Sequence, residues 1–219
     1  MARTYDDSMF IDTFEHEYTW LNGFMRNVHR FSTRSAVIDP DQKKNWTYAE
    51  LNVEANRLAH ALKKDGVQKN DLVMTALRNS PAFCTCYIAP RKIGGILLAA
   101  NYNLAAGELA LLITHNKPKI IIYSANIRDV MVQAESLCKW KPQRFVLADN
   151  IEGYEPPKNH LLYEDYIAEA SEKEPERNFR PHIYDEVLRL CTSGSTALPK
   201  SVPINDINEV LSAHDVIMH

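Results

Sequence analysis

Five short, largely apolar runs, at residues 71–77, 96–100, 119–123, 144–148 and 187–191, are separated by stretches whose apolar residues recur every three or four positions. Runs apolar at consecutive positions predict strands buried on both faces, and three- or four-residue spacing predicts helices with one buried face. The first helix is expected from Trp20, with Leu21, Phe24, Val28 and Phe31 on one side and Thr19 as its cap. Residues 35–39 predict a further strand that turns through a loop at 39–45 and returns through Trp46. Thr47-Tyr48-Ala49-Glu50 has capping-box spacing, in which the Thr47 hydroxyl takes the Glu50 amide and the Glu50 carboxylate reaches back to the Thr47 amide. The helix it starts carries Leu51, Ala55, Leu58, Ala59 and Leu62 on one face and is expected to stop at Gly66.

Ser80 followed by Pro81 predicts the next helix start, and Pro90 is expected to kink that helix or end it early. Further helices are expected at 108–115, 127–138 and 163–170, and one capped by Asn205 with Ile207, Val210, Leu211, Ile217 and Met218 on its apolar side. Strands buried on both faces and alternating with helices make an α/β fold, a mostly parallel sheet flanked by helices on both faces. Residues 1–18 are polar and mixed and are expected to form an arm laid over the domain, which then occupies 19–219. The charged connector at 171–181, with Glu172, Lys173, Glu174, Glu176 and Arg177, is expected to be a solvated surface.

Composition narrows the class. The chain has 219 residues, 45% hydrophobic and 24% charged, enough for a substantial core, and its net charge of −3 gives no general attraction to nucleic acid or to an anionic membrane. No apolar run reaches the roughly 20 residues of a membrane span, and the first residues lack a signal-peptide core, so a cytoplasmic protein is expected. Cys84, Cys86, Cys138 and Cys191 follow neither a disulfide framework nor a metal pattern and are expected to be buried thiols.

The chemistry is concentrated after the last apolar run, which opens into Thr192, Ser193, Gly194, Ser195 and Thr196, with Lys200 close behind. Backbone amides converging around a glycine, hydroxyl donors and one mobile ammonium suit phosphate oxygens, so the stretch reads as a nucleotide-phosphate cradle. Residues 194–201 have the Walker A spacing except that Pro199 replaces the second glycine and has no N–H to donate. That motif also needs a helix starting at its lysine, which Pro203 disfavours at Val202. The Walker A reading is therefore rejected.

Thr-Ser-Gly-Ser-Thr-Ala-Leu-Pro-Lys-Ser-Val, residues 192–202, resembles the Thr-Ser-Gly-Thr-Thr-Gly-x-Pro-Lys-Gly-Val signature of the AMP-forming acyl-CoA synthetase and adenylate-forming enzyme superfamily. Weaker likenesses occur at 46–51 and at 92–103. Ala197 and Ser201 depart from the signature, which has glycine at both positions; if position 197 needs a left-handed backbone, alanine costs about 1–2 kcal/mol there. The resemblance implies the N-terminal subdomain of an acyl-CoA synthetase-like fold, truncated after the phosphate loop, with the chain as the first portion of a longer polypeptide.

The implied reaction is that of an AMP-forming acid–thiol ligase. A carboxylate attacks the α-phosphorus of ATP, pyrophosphate leaves, and the acyl group passes from the adenylate to coenzyme A or a carrier thiol. Thr192, Ser193, Ser195, Thr196 and Lys200 are the residues expected to hold the ATP phosphates, Gly194 allows their close approach, and Thr196 is the candidate ligand for Mg²⁺. No acid, base or nucleophile is expected within the chain, which alone is expected to be inactive. A fatty acid is the first expectation for the acid, aryl and amino acids remaining open, and a homodimer is a candidate assembly. The alternative is a non-catalytic, synthetase-like interaction module, which Ala197 and Ser201 favour.

Overall fold

A computed structural model describes residues 7–192 and 200–218. Its strands are β1 (Ser35–Asp39), β2 (Lys44–Thr47), β3 (Leu72–Ala76), β4 (Ile96–Ala99), β5 (Ile120–Ser124), β6 (Arg144–Ala148), β7 (His160–Leu162), β8 (Glu186–Thr192) and β9 (Lys200–Asn205). Its helices are α1 (Ser8–Glu17), α2 (Trp20–Arg30), α3 (Tyr48–Lys64), α4 (Pro81–Lys92), α5 (Ala106–Asn116), α6 (Arg128–Leu137), α7 (Tyr163–Ile167) and α8 (Asp206–Met218). β1 and β2 pair as an antiparallel hairpin, and the other strands form one sheet in the order β7-β6-β5-β3-β4-β8-β9, parallel except for β9.

Alternation along the strands splits the core in two. Leu72, Met74, Ile121, Tyr123, Phe145 and Leu147 pack against Leu109, Leu112 and Ile113 of α5 and Met131 of α6. Val73, Ile120, Ile122 and Val146 face the other way, onto Leu58 and Leu62 of α3, Cys86 and Ala89 of α4 and Tyr163 of α7. Both faces are covered, which is why these strands read as unbroken apolar runs. Outside α3 and α4, a third layer joins Leu21 and Phe24 of α2 with Leu51, Ala55 and Ile88, against Val37 and Trp46 of the hairpin.

Local signals hold where the chemistry is local. The Thr47 capping box forms in full, the Thr19 hydroxyl caps α2 at the Asn22 amide, and Ser80 caps α4 at the Phe83 amide. Gly66, at φ +77°, supplies the left-handed residue just past α3. Gly94 has the same φ, and a Cβ there would stand 3.1 Å from the side chains of Phe179 and Lys69.

Several expectations change. The arm contains a regular helix, α1, and the connector at 171–181, whose charged side chains are mostly exposed as expected, is also tied to α3 and α4. The Asn56 amide donates to the Glu172 carbonyl, His60 and Lys63 reach the carbonyls of Lys173 and Glu176, and Arg57 pairs with Glu172. Lys92, with a side chain wholly out of solvent, pairs with Glu174 at 2.6 Å. The carboxylates that looked like surface charge are partners for cations on α3 and α4. α4 runs two residues past Pro90, whose own carbonyl accepts the amides of Ile93 and Gly95. β7 and β9 were not foreseen: β7 is only three residues long, and Pro203 sits inside β9, tolerated because β9 is an edge strand. α8 starts after Asn205 as expected, but the bond runs from the Asn205 amide to Asn208 Oδ1.

Asp65, the C-cap of α3, accepts from both Nε and Nη2 of Arg144 on β6 at 3.0 Å each. That hydrogen bond, with the guanidinium charge behind it, holds the Asp65 carboxyl below the usual range against the opposing effect of burial. A depressed folded-state pKa stabilises above the unfolded value of about 3.9 and is lost as pH falls through the folded value. Allowing for screening at the partly exposed guanidinium, Asp65→Asn is expected to cost about 1–2 kcal/mol at neutral pH. Urea unfolding of both proteins at neutral pH and near pH 3 checks this: the gap should narrow in acid, and an undiminished gap contradicts the assignment.

Candidate functional site

The direction of travel through the sheet creates the site. β3 passes through α4 to β4 on one side, and β4 passes back through α5 to β5 on the other side of β3. Right-handed crossovers in opposite directions place α4 and α5 on opposite faces, as their core partners show. The carboxyl ends of β3 and β4 therefore diverge, and the crevice outside such a point is where open α/β sheets bind ligands.

β8 is inserted beside β4 in parallel, pairing Leu97 with Leu188, Leu98 with Arg189 and Ala99 with Leu190. Its carboxyl end consequently lies at the same edge as those of β3 and β4. Continued by two residues, the register sets Thr192 level with Asn101, whose Oδ1 accepts the Asn103 amide at 2.9 Å in the turn after β4. β9 returns antiparallel, with Cys191 opposite Ser201 and Thr192 opposite Lys200. The hydroxyl-rich stretch thus joins the two ends of a closed strand pair. The lysine opens a strand and not a helix, which agrees with rejecting a Walker A loop.

Of the residues expected to hold phosphate, Thr192 and Lys200 are placed as this cross-strand pair, and Lys200 is exposed, in an ion pair with no carboxylate among the described residues. Ser193, Gly194, Ser195 and Thr196, the candidate Mg²⁺ ligand among them, lie outside the described residues, as do Ala197 and the Thr192 side chain. Ser201 lies in extended backbone inside β9 and has no positive φ, so its side chain imposes no backbone strain there. Burial pushes the Cys191 thiol up, with the Ser201 hydroxyl pulling the other way, and a thiol held protonated is a poor nucleophile.

Sequence reading missed Arg78, an exposed cation just beyond β3 at the same edge. It lines a crevice of about 60 Å³ with Asp39, Gln42, Ser80, Ser124 and Asp149. The Ser124 hydroxyl accepts the Arg78 amide and donates to Asp149, which also accepts from Gln42. These bonds tie the β1–β2 hairpin loop to the carboxyl edge, and no local sequence pattern announces a contact between residues so far apart in the chain. A larger hollow, about 530 Å³, lies at the opposite edge, lined by Lys63, Gln68, Lys69, Ile93 and Phe179. That hollow lies away from Thr192 and Lys200, which the sheet places at the carboxyl edge. Among the described residues no group of three His, Cys, Asp or Glu side chains gathers to hold a metal ion.

A family model described as AMP-binding enzyme matches residues 24–217. The chain belongs to the AMP-binding enzyme family. Among its relatives is a 4-coumarate–CoA ligase of Humulus lupulus, 28% identical over 80% of this chain and 31% of the relative. Another is a medium/long-chain-fatty-acid–CoA/3-oxocholest-4-en-26-oate–CoA ligase of Mycobacterium tuberculosis, 32% identical over 77% of this chain and 30% of the relative. The chain thus spans about a third of the length of the curated relatives it matches. The structure of the anthranilate CoA ligase AuaEII in complex with anthranoyl-AMP superimposes with a TM-score of 0.81 over 90% of this chain and 36% of that one, at 21% identity. The mostly parallel sheet is the fold of the N-terminal region of such ligases, and the β8–β9 pair falls inside the family match. None of the described helices is long and apolar enough to cross a membrane.

An exposed lysine with no ion pair among the described residues supports little of the fold, so Lys200→Ala is expected to change unfolding stability by no more than about 0.5 kcal/mol. Chemical denaturation measures this, and a larger loss would mean that Lys200 is a structural partner and not a free donor.

Proposed function

We propose that this chain provides the phosphate-gripping part of an ATP-dependent, AMP-forming acid–thiol ligase that adenylates a carboxylic acid and passes the acyl group to coenzyme A. Residues 19–219 serve in it as the N-terminal subdomain. The observation behind this reading is the exposed Lys200, paired across strands with Thr192 at the carboxyl edge of the sheet, in a chain whose family match reaches residue 217.

The donor set is hydroxyl, amide and ammonium, which suits phosphate oxygens and a hard cation riding on them. As pyrophosphate departs from the α-phosphorus, negative charge builds on the β and γ phosphates. Thr192, Ser193, Ser195, Thr196 and Lys200 meet that charge, Gly194 lets the backbone come close, and the Thr196 hydroxyl would hold Mg²⁺, which would supply further positive charge there. A donor set on developing charge contributes about 3–4 kcal/mol to such a step. The acid in this reading is a fatty acid, supported by the relative named for medium- and long-chain fatty acids. A cytoplasmic location and a homodimer belong to the same proposal.

The competing reading, a non-catalytic interaction module, draws on Ala197 and Ser201 where the superfamily signature has glycine. The extended backbone at Ser201 weakens half of that argument.

Calorimetric titration of the chain with Mg-pyrophosphate and with Mg-ATP tests the assignment. Binding is expected to be weak, about 4–5.5 kcal/mol or a Kd of roughly 0.1–1 mM, and to be lost in Lys200→Ala. Submicromolar binding contradicts a partial site, and equal binding by wild type and Lys200→Ala contradicts the assignment of Lys200.

A further inference from the structure

The two segments flanking the β8–β9 pair are both held by consecutive residues in the last turn of α4. Arg91 grips the outgoing segment: its Nη1 lies 2.6 Å from Glu209 Oε2 and its Nη2 2.8 Å from Glu209 Oε1, both on α8. The Tyr87 hydroxyl donates to the same Glu209 at 2.8 Å, and the guanidinium lies 4.9 Å from the Trp20 ring and 4.4 Å from the Tyr87 ring. The start of α8 is pinned as well, because Asp206 accepts the Trp20 amide at 2.7 Å. Lys92 grips the incoming segment: Nζ lies 2.6 Å from Glu174 and 2.9 Å from Asn52 Oδ1. Successive helical residues point about 100° apart, so adjacent side chains can hold segments on different sides of one helix.

We propose that Arg91 and Lys92 are positioning residues that fix where the two strands of the β8–β9 pair sit on the sheet, and with them the mouth closed by Thr192 and Lys200. The physical ground is the cost of the arrangement. Both cation side chains are at least 98% buried. Apolar residues of similar volume commonly stabilise a fold as well as a buried ion pair does. What the pairs add is direction: the buried, bidentate Arg91–Glu209 pair accepts one geometry, and the enclosed Lys92 ammonium must meet the partly exposed Glu174 carboxylate, where an apolar contact accepts many positions. The β4–β8 ladder attaches the strand pair to the sheet at Leu97, Leu98 and Ala99, and the two ion pairs hold the segments entering β8 and leaving β9 beyond that ladder. The link to phosphate binding rests on the proposed function; the mechanical claim does not.

The test is amide hydrogen exchange, read segment by segment, on the chain and on two double variants, Arg91→Met/Glu209→Leu and Lys92→Met/Glu174→Leu. Each replaces both members of a pair by apolar groups; the first also takes Arg91 from Asp206, and the second takes Glu174 from Arg177, 3.6 Å away. Thermal midpoints are expected to stay within a few degrees of wild type. Exchange should rise at least tenfold in β9 and α8 for the first variant and in 171–192 for the second, with β3, β5 and β6 unchanged. Wild-type protection of these segments in both variants overturns the proposal, and so does a loss of protection spread evenly over the sheet. If either variant fails to fold, the pairs support the whole fold and not the strand pair, which also overturns it. Where wild type binds Mg-pyrophosphate, both variants should bind it at least fivefold more weakly. A wild type that binds none sinks the functional reading, and the exchange data still decide the positioning claim.

Discussion

The parallel pairing of β8 with β4 is the contact on which the remaining geometry depends. It joins segments some ninety positions apart in sequence, Leu97 with Leu188 and Ala99 with Leu190, and nothing local requires it. Its direction matters most. An antiparallel β8 would deliver Thr192 to the amino edge of the sheet, among Lys63, Lys69 and Phe179, far from the divergence of β3 and β4. The parallel arrangement is enforced by burial, since Val187 and Leu188 pack on Leu97 and the chain must cross the sheet before it can enter β8 from the correct end. The connector at 171–181 makes that crossing, and its carbonyls and carboxylates are bonded to Asn56, Arg57, His60 and Lys63 along α3 and to Lys92 of α4.

Much of this was legible in the sequence because it is local. Capping at Thr47 and Ser80, termination at Gly66 and the buried strands are set by residues within a few positions of each other, and they formed as expected. The role of the connector was not legible. Glu172 and Glu174 look like solvated charge because their partners, Arg57 and Lys92, are some eighty to one hundred and fifteen positions away. β9 was hidden for a related reason: a proline discourages a strand reading, and only the open side of an edge strand accommodates it. α1 escaped notice because its apolar side chains stay exposed at Met9 and Phe10, while Asp12 and Glu15 pair with Arg180 and His182, far along the chain.

Of the candidate site, residue types are legible in the sequence and the described structure adds the positions of Thr192 and Lys200 alone. Four hydroxyls, a glycine and a lysine state an affinity for phosphate oxygens wherever they are put. The sheet places two of them, Thr192 and Lys200, as a cross-strand pair at the divergent carboxyl edge, with Lys200 exposed and in no ion pair among the described residues. The β8–β9 pair lies within the stretch matched by the family model, in a fold shared with a ligase structure. In the positioning proposal, the buried Arg91 and Lys92 of α4 hold the strand pair at the sheet margin through Glu209 and Glu174.

Mapping amide chemical shifts in the isotope-labelled chain during titration with Mg-pyrophosphate tests the central claim most directly. The account predicts that shifts move at 192–201 and at the neighbouring turn around Asn101, with Gly194 among the most affected, and that the amino edge is silent. Shifts centred on Lys63, Gln68 and Lys69, with 192–201 unmoved, would contradict it.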